Sequence, residues 1–401
     1  MPVRKDERAR HVSALVKRVN ALSSELASSG HATIKLMEVC GTHTMAISQY
    51  GIRRMIGPGV ELLSGPGCPV CVTSQQEIDE CIGLAGGGTN TKSTKNTKFR
   101  TSDPARPSAC LDSRPPVVLT FGDMLRVPGG RGSLEQARAE GADVRVLYSA
   151  LDGVEMAERE PERQFVFLGV GFETTAPTVA AALVVAKRRR LANFSVLSMF
   201  KLIPPALALI AGSKRVAIDG FILPGHVSTV IGTKPYEFLA RDYGLPSCVT
   251  GFEPTDILEG ILSLLEQMRD GPKVDNRYER SVRPEGNPTA LRLMRRVFEP
   301  CDAEWRGLGR LPGSGLTLRP EFATFDARAR FPTAPIQNPK SKIQNRFSSA
   351  CRCGEVMLGL LRPPECRLFG RACTPERPVG PCMVSSEGAC AAFWKYREQD
   401  L

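Results

Sequence analysis

Two short apolar runs, IKLMEV (34–39) and VELL (60–63), each end in a turn that carries cysteine. The first runs into CGTHT with Cys40, the second into SGPGCPVCVT with Cys68 and Cys71. Runs of this length bounded by turn residues read as buried strands. The unit recurs down the chain in VVLTFGD, QFVFLGVGFETTAP, NFSVLSMF, GFILPGH and SCVTGFEP, interleaved with helical patterns such as TVAAALVVAKRRR and TDILEGILSLLEQMRDG. Strands alternating with helices restrict the fold to the α/β class with mostly parallel sheets. GFETTAP (171–177) and GFEPTDIL (251–258) echo each other, which argues for two similarly built halves. Their Glu173 and Glu253 sit at strand ends, where ligand-facing loops of such sheets gather. Each glutamate also reads as a helix cap.

At 401 residues the chain has room for two or three domains. No apolar run reaches the length of a membrane span, and MPVRKDERARHVSALVKRVN opens a charged amphipathic helix at about 12–28. The expected location is cytoplasmic. The formal net charge of +11 raises nucleic acid as a partner. However, Lys and Arg are dispersed, and the run KRRR (187–190) closes an apolar helix, where cations suit the dipole. Neither nucleic acid nor membrane is expected as a partner. The stretches 86–116 and 331–349 lose all hydrophobic periodicity and read as polar surface inserts, which takes Cys110 away from any chemistry.

Thirteen cysteines, an odd number, point in a reducing compartment to metal or redox chemistry rather than a disulfide scaffold. In GPGCPVC the glycines open backbone conformations closed to other residues, and Pro69 fixes φ between the sulfurs. The pair Cys68 and Cys71 is a redox dithiol, a metal clamp or packing. Cys40, with His43 three residues on, reads as a thiolate that binds metal or attacks an electrophile, or as a buried cysteine beside a helix-capping Thr42. His226 in PGHVSTVIG and Asp123 in FGDMLRVPG lie in loops straight after strands, as site residues or as local hydrogen-bonding groups.

Six of the thirteen cysteines, Cys351, Cys353, Cys366, Cys373, Cys382 and Cys390, fall in the last fifty-one residues. Their irregular spacing lacks the paired knuckles of a zinc ribbon, and loops rich in Gly and Pro suit four thiolates converging on a [4Fe-4S] cluster. Zinc, disulfides and free thiols are the other readings. Cys353, Cys366, Cys373 and Cys390 form the expected ligand set, with Cys382 and Cys351 as alternates. Glu387 in SSEG is a candidate for handling protons, or a helix cap.

The motifs VCGTHT, GPGCPVCVT, FGDMLRVPG, GFETTAP, PGHVSTVIG, GFEPTDIL and the tail CRCGEV through ECRLFGRACTPERPVGPCMVSSEGACAA resemble those of the HypD family of [NiFe]-hydrogenase maturation factors, in the family's order over about residues 30–396. The resemblance implies a scaffold that pairs with the small chaperone HypC. Together they would hold one Fe(II) while its Fe(CN)2CO group is assembled, with cyanide delivered by HypE, itself supplied by HypF. The finished group would reach the hydrogenase large subunit through HypC. By the same resemblance Cys40 is the iron-binding thiolate, Cys68 and Cys71 the redox dithiol, and the tail cysteines hold the [4Fe-4S] cluster. It also implies two α/β domains around a cleft with a cluster-bearing third domain. On this chain that gives 1–150, 151–272 and an irregular or helical cysteine-rich region at 273–401.

The chemistry matches the residues, because cyanide and carbon monoxide call for low-spin Fe(II) on soft donors, and thiolates are soft. The expected electron route runs from the tail to the Cys68/Cys71 pair and on to Cys40, with His43 or His226 managing protons. Such a protein is a redox-active assembly scaffold more than a turnover enzyme. The competing readings are a free-standing iron-sulfur dithiol/disulfide oxidoreductase and a zinc-stabilised binding module.

Overall fold

The computed structural model describes residues 5–28, 33–86, 114–332 and 350–400. Most of the expected polar inserts, with Cys110, therefore lies outside the described residues. Eleven strands are seen among the described residues, and nine of them build two fully parallel sheets. Strands β1 (Ile34–Glu38) and β2 (Val60–Ser64) join β7 (Gly220–Leu223), β8 (Ser247–Val249) and β9 (Val274–Asn276) in the order β2-β1-β7-β8-β9. Strands β3 (Val117–Thr120), β4 (Val144–Val146), β5 (Phe165–Gly169) and β6 (Phe194–Ser198) form the second sheet, ordered β4-β3-β5-β6. Every residue of β3, β5, β6 and β7 is buried, which is why they read as continuous apolar runs and not as alternating ones.

The α/β class is as expected, but the sheets do not divide at residue 150. β3 and β4 precede that point yet share a sheet with β5 and β6, through β3 pairing with β5, while β1 pairs with β7 from the far side and carries β2 on its other edge. The chain leaves the first sheet after β2, completes the second, and returns for β7. A local pattern specifies a strand but not its neighbour, so this excursion is invisible in the sequence.

The helix Lys5–Ser28 lies along Pro254–Asp270 over the first sheet, sharing one core through Leu15, Val19 and Leu22 with Ile257 and Ile261. Beyond residue 273 the expected irregular structure needs correction. After the helix Pro288–Val297 comes an antiparallel hairpin, β10 (Phe298–Trp305) and β11 (Gly309–Leu318). Pro300, Pro312 and several glycines disguise it as loop, and a register shift at Cys301 to Ala303 absorbs the irregularity. It docks on the end of β6, where Leu202 N–H donates to Ser314 O (2.8 Å) and Ser198 Oγ to Leu316 O (2.5 Å). Trp305 is buried at its tip, its Nε1–H donating to Ser314 Oγ at 2.9 Å. Only the segment from residue 350 onward forms the cysteine-rich tail. No helix among the described residues is long and apolar enough to cross a membrane.

Candidate functional site

The residues singled out above gather at the carboxyl ends of the parallel strands, where open α/β sheets present their ligand-binding loops. Cys40 follows β1 in extended conformation and opens the helix Gly41–Gln49. The turn after β2 is laced to it from both sides, since Gly65 N–H donates to Glu38 O (2.8 Å) and Gly41 N–H to Gly67 O (3.0 Å). Gly67 passes so close that a Cβ there would lie 2.3 Å from Cys40 N. Beneath the cysteine, Glu38 is fully buried and accepts from Cys40 N–H (3.3 Å) and Thr44 Oγ1–H (2.6 Å). Burial pushes the Cys40 thiol up to about 12, with the Glu387 carboxylate adding to the rise, so it stays protonated until something replaces the proton.

Glu387 comes from the tail. A Cβ on Gly41 would fall 2.4 Å from Glu387 Cβ, so only glycine lets the SSEG loop approach the cysteine. Thr42 Oγ1–H donates to Glu387 Oε1 at 3.0 Å, and His226 Nδ1 lies 3.4 Å from the same hydroxyl. Asp123, after β3, anchors the loop from the other sheet by accepting from Ser385 Oγ (2.9 Å), Ser386 N–H (3.3 Å) and Ser386 Oγ (3.1 Å). A line of polar groups thus runs from the exposed His226 through Thr42 to Glu387, whose pKa is raised by burial, beside Cys40.

His226 is not in a loop as the sequence suggested. It lies in the first turn of the helix Gly225–Ile231, its ring 4.1 Å from that of Phe252. His43 packs 4.7 Å from Phe252 and is fully buried. Its Nε2 is 2.9 Å from both Gly251 O and Thr250 Oγ1, and burial lowers its pKa to about 4. Held neutral near pH 7, His43 positions the loop after β8, whereas His226 reaches the surface.

Cys68 and Cys71 are joined as a disulfide on the short helix Pro69–Val72, both buried, with Cys71 N–H donating to Cys68 Sγ at 3.1 Å. Arg306, at the tip of the β10–β11 hairpin, ties down the end of this turn. Its N–H donates to Val72 O (2.8 Å), Nε to Thr73 O (3.0 Å) and Nη1 to Gln75 Oε1 (3.3 Å). In the tail, Cys353 and Cys382 form a second disulfide, buried in the same core as Cys68 and Cys71. Two candidates for the ligand set are therefore bonded to each other. All six tail cysteines line one hollow with Phe369 and Met383, and Cys351, Cys366, Cys373 and Cys390 are its free thiols. Cys390 is raised well above the usual thiol range by burial, and Cys351, Cys373 and Cys366 add to that rise. Among the described residues no three His, Cys, Asp or Glu side chains stand close enough to hold an ion as they are. The donor chemistry nonetheless fits a thiolate-bound cluster, with four unpaired thiols, an apolar wall, and Val379 N–H donating to Cys373 Sγ at 3.3 Å. Cys81 and Cys248 are core residues, Cys81 Sγ resting 3.7 Å from Met199 Sδ.

The two echoed glutamates behave differently. Glu253 caps its own helix with Asp256. Glu173 instead accepts from Ile203 N–H (2.9 Å), at the start of another helix, and among the described residues its Oε2 is buried without a partner. Burial lifts Glu173 and Glu38 to about 7. A carboxyl raised above its unfolded value of about 4.5 takes up a proton on folding, so its contribution is full below about 4.5 and is lost as pH rises through about 7. His43, lowered from 6.5 to about 4, acts oppositely and costs stability as pH falls through that window. Glu173→Gln keeps the acceptor for Ile203 and cannot ionise. Thermal denaturation should show it more stable than wild type near pH 8, by at most about 3 kcal/mol, and nearly equal near pH 4. An equal shift at both pH values would discard the buried-carboxyl account.

Sequence reasoning missed Glu38 and Arg306. A lone carboxylate inside the apolar run before Cys40 was the available signal for the first. For Arg306, in a stretch read as irregular, there was none.

A family model described as "HypD: Hydrogenase formation hypA family" matches residues 11–95 and 108–397. Hydrogenase maturation factor HypD of Rhodobacter capsulatus is 42% identical over 385 residues, covering 95% of this chain and 94% of that protein. The HypD factors of Escherichia coli K12 (41% over 397 residues, 97% and 96%) and Rhizobium leguminosarum bv. viciae (44% over 370 residues, 90% and 87%) are similar in extent. With alignments running nearly end to end through both sheets and the tail, the chain belongs to the HypD family of hydrogenase formation proteins.

Proposed function

We propose that this chain is a hydrogenase maturation factor that holds one Fe(II) as cargo at Cys40, together with a HypC-type chaperone, while cyanide and carbon monoxide are added to it. Cyanide would come from a HypE-type donor loaded through HypF, and the product would pass to the hydrogenase large subunit. The observation that carries the reading is the convergence of three segments on one buried thiol: the β1 exit, the GPG turn and the SSEG loop. Iron displaces the Cys40 proton, and Glu387, Thr42 and His226 give that proton a route outward. A soft thiolate in a water-poor setting suits low-spin iron with strong-field ligands.

Cys68–Cys71 takes up two electrons and two protons when it opens to two thiols, next to the turn that clamps Cys40. We assign Cys351, Cys366, Cys373 and Cys390 as the thiolates for a [4Fe-4S] cluster, which when bound supplies electrons singly. The free-standing oxidoreductase is the weaker reading, because Cys68 and Cys71 are 5% and 1% exposed and offer no sulfur to a bulky substrate.

The test is infrared spectroscopy on the chain isolated without oxygen together with its HypC-type partner and the cyanide-delivery proteins. Bands in the cyanide and carbon monoxide stretching regions are expected on the complex. A complex that forms, retains iron and shows neither band would overturn the assembly role.

A further inference from the structure

Several cations that look scattered in sequence are gathered by the fold into one trough, which Cys40 does not line. The helix Pro288–Val297 starts at an Asn287 cap and buries Met294 and Val297. Its spacing places Arg292, Arg295 and Arg296 at i, i+3 and i+4, on one exposed side. None of the three has a carboxylate within ion-pair distance among the described residues. Like charges so spaced repel, which the favourable helix C-terminus offsets only in part. Two hollows, of about 660 and 420 Å³, open on either side of Arg295 and Arg296. The larger has an apolar floor that includes Ile231, Pro235, Pro284 and Leu291. The smaller brings in Lys187 from the KRRR run, together with Arg319, whose Nε–H donates to Arg295 O at 2.7 Å. The two carboxylates lining them are Glu285, paired with Lys234 at 3.1 Å, and Glu321.

We propose that this trough is a docking surface for an acidic segment of a partner protein, one that sets apolar side chains between its carboxylates. The three unpaired guanidiniums supply attraction and a bidentate grip on carboxylates. The aliphatic and proline floor supplies the apolar complement, which a phosphodiester backbone lacks. A single-stranded nucleic acid would need exposed rings to stack on, whereas Phe322, the one ring lining these hollows, is 3% exposed and has Lys187 Nζ 4.5 Å from its centre. The trough also meets the candidate site through one element. Ile231 ends the helix that begins at Gly225 and carries His226 in its first turn.

The test is fluorescence anisotropy on the full chain with a short fluorescein-labelled peptide alternating Glu and Leu, and a second with every Leu replaced by Ser. The Leu peptide is expected to bind about tenfold more tightly than the Ser peptide, and to weaken with added salt. Combined Arg292→Glu, Arg295→Glu and Arg296→Glu should weaken it a further tenfold or so, with the melting temperature unchanged because all three side chains are exposed. The corresponding Lys variants should retain most of the binding. Equal affinity for the two peptides, binding unchanged by charge reversal, or tighter binding of an oligothymidylate than of the Leu peptide would each overturn the proposal. Iron retention at Cys40 is read separately, so failure here leaves that assignment standing.

Discussion

Gly67→Ala is expected to remove iron from the Cys40 site and to destabilise the protein together. The new Cβ would stand 2.3 Å from Cys40 N, 2.4 Å from its Cα and 2.6 Å from its carbonyl carbon, and all three are backbone atoms. No side-chain rotation relieves such a contact. Either the GPG turn or the end of β1 must shift, which breaks the Gly41 N–H to Gly67 O and Gly65 N–H to Glu38 O bonds that register the two strand ends. Overpacking of this kind costs about 3 kcal/mol. Cys40→Ser is the comparison that separates the effects. It preserves shape, should leave the melting temperature nearly unchanged, and should still lose iron completely in metal analysis of the complex isolated without oxygen. If Gly67→Ala kept both its stability and its iron, the clamp around Cys40 would not be the source of the site.

Much of this arrangement is legible in the sequence, because the chemistry sits at strand ends and strand ends are written locally. An apolar run, a turn and a cysteine suffice to place Cys40, Cys68 and Cys71, and the same logic finds Asp123 and His226. What could not be read is everything that depends on which strand lies beside which. β3 and β4 look like a continuation of β1 and β2, yet parallel pairing sends them to another sheet. Glu387 lies in the tail sequence, and its place against Gly41 arises from tertiary contacts, with Asp123 of the other sheet holding the SSEG loop. The β10–β11 hairpin was hidden for a different reason. Its prolines and glycines are tolerated because the hairpin is two-stranded, bulged and held by Trp305, a compensation that lies in tertiary contacts. Arg292, Arg295 and Arg296 likewise become a surface feature only because the fold places Lys187 beside Arg295 and Arg296.

The pairing of tail cysteines leads to the sharpest division among variants. Local spacing favours Cys353 over Cys351, since Cys351 abuts the 331–349 insert. In the structure all six tail cysteines line one hollow, Cys353 is bonded to Cys382, and the proposed ligand set follows the four that are free, Cys351, Cys366, Cys373 and Cys390. Cys351→Ser is therefore expected to abolish cluster retention, read as loss of iron and acid-labile sulfide from about four of each per chain to background, with the brown absorption gone. Cys353→Ser should keep iron and sulfide. It should instead lose stability of about 3–4 kcal/mol, the loop-closure term for a bond that spans 29 residues of sequence. The two substitutions lie two residues apart and change the same atom, so a general disturbance of the tail cannot produce opposite phenotypes. Metal loss in Cys353→Ser with retention in Cys351→Ser would restore the set favoured by spacing. Zinc without sulfide in the wild type would make the four thiols a structural knot, and would leave the Cys68–Cys71 disulfide to draw its electrons from outside the chain.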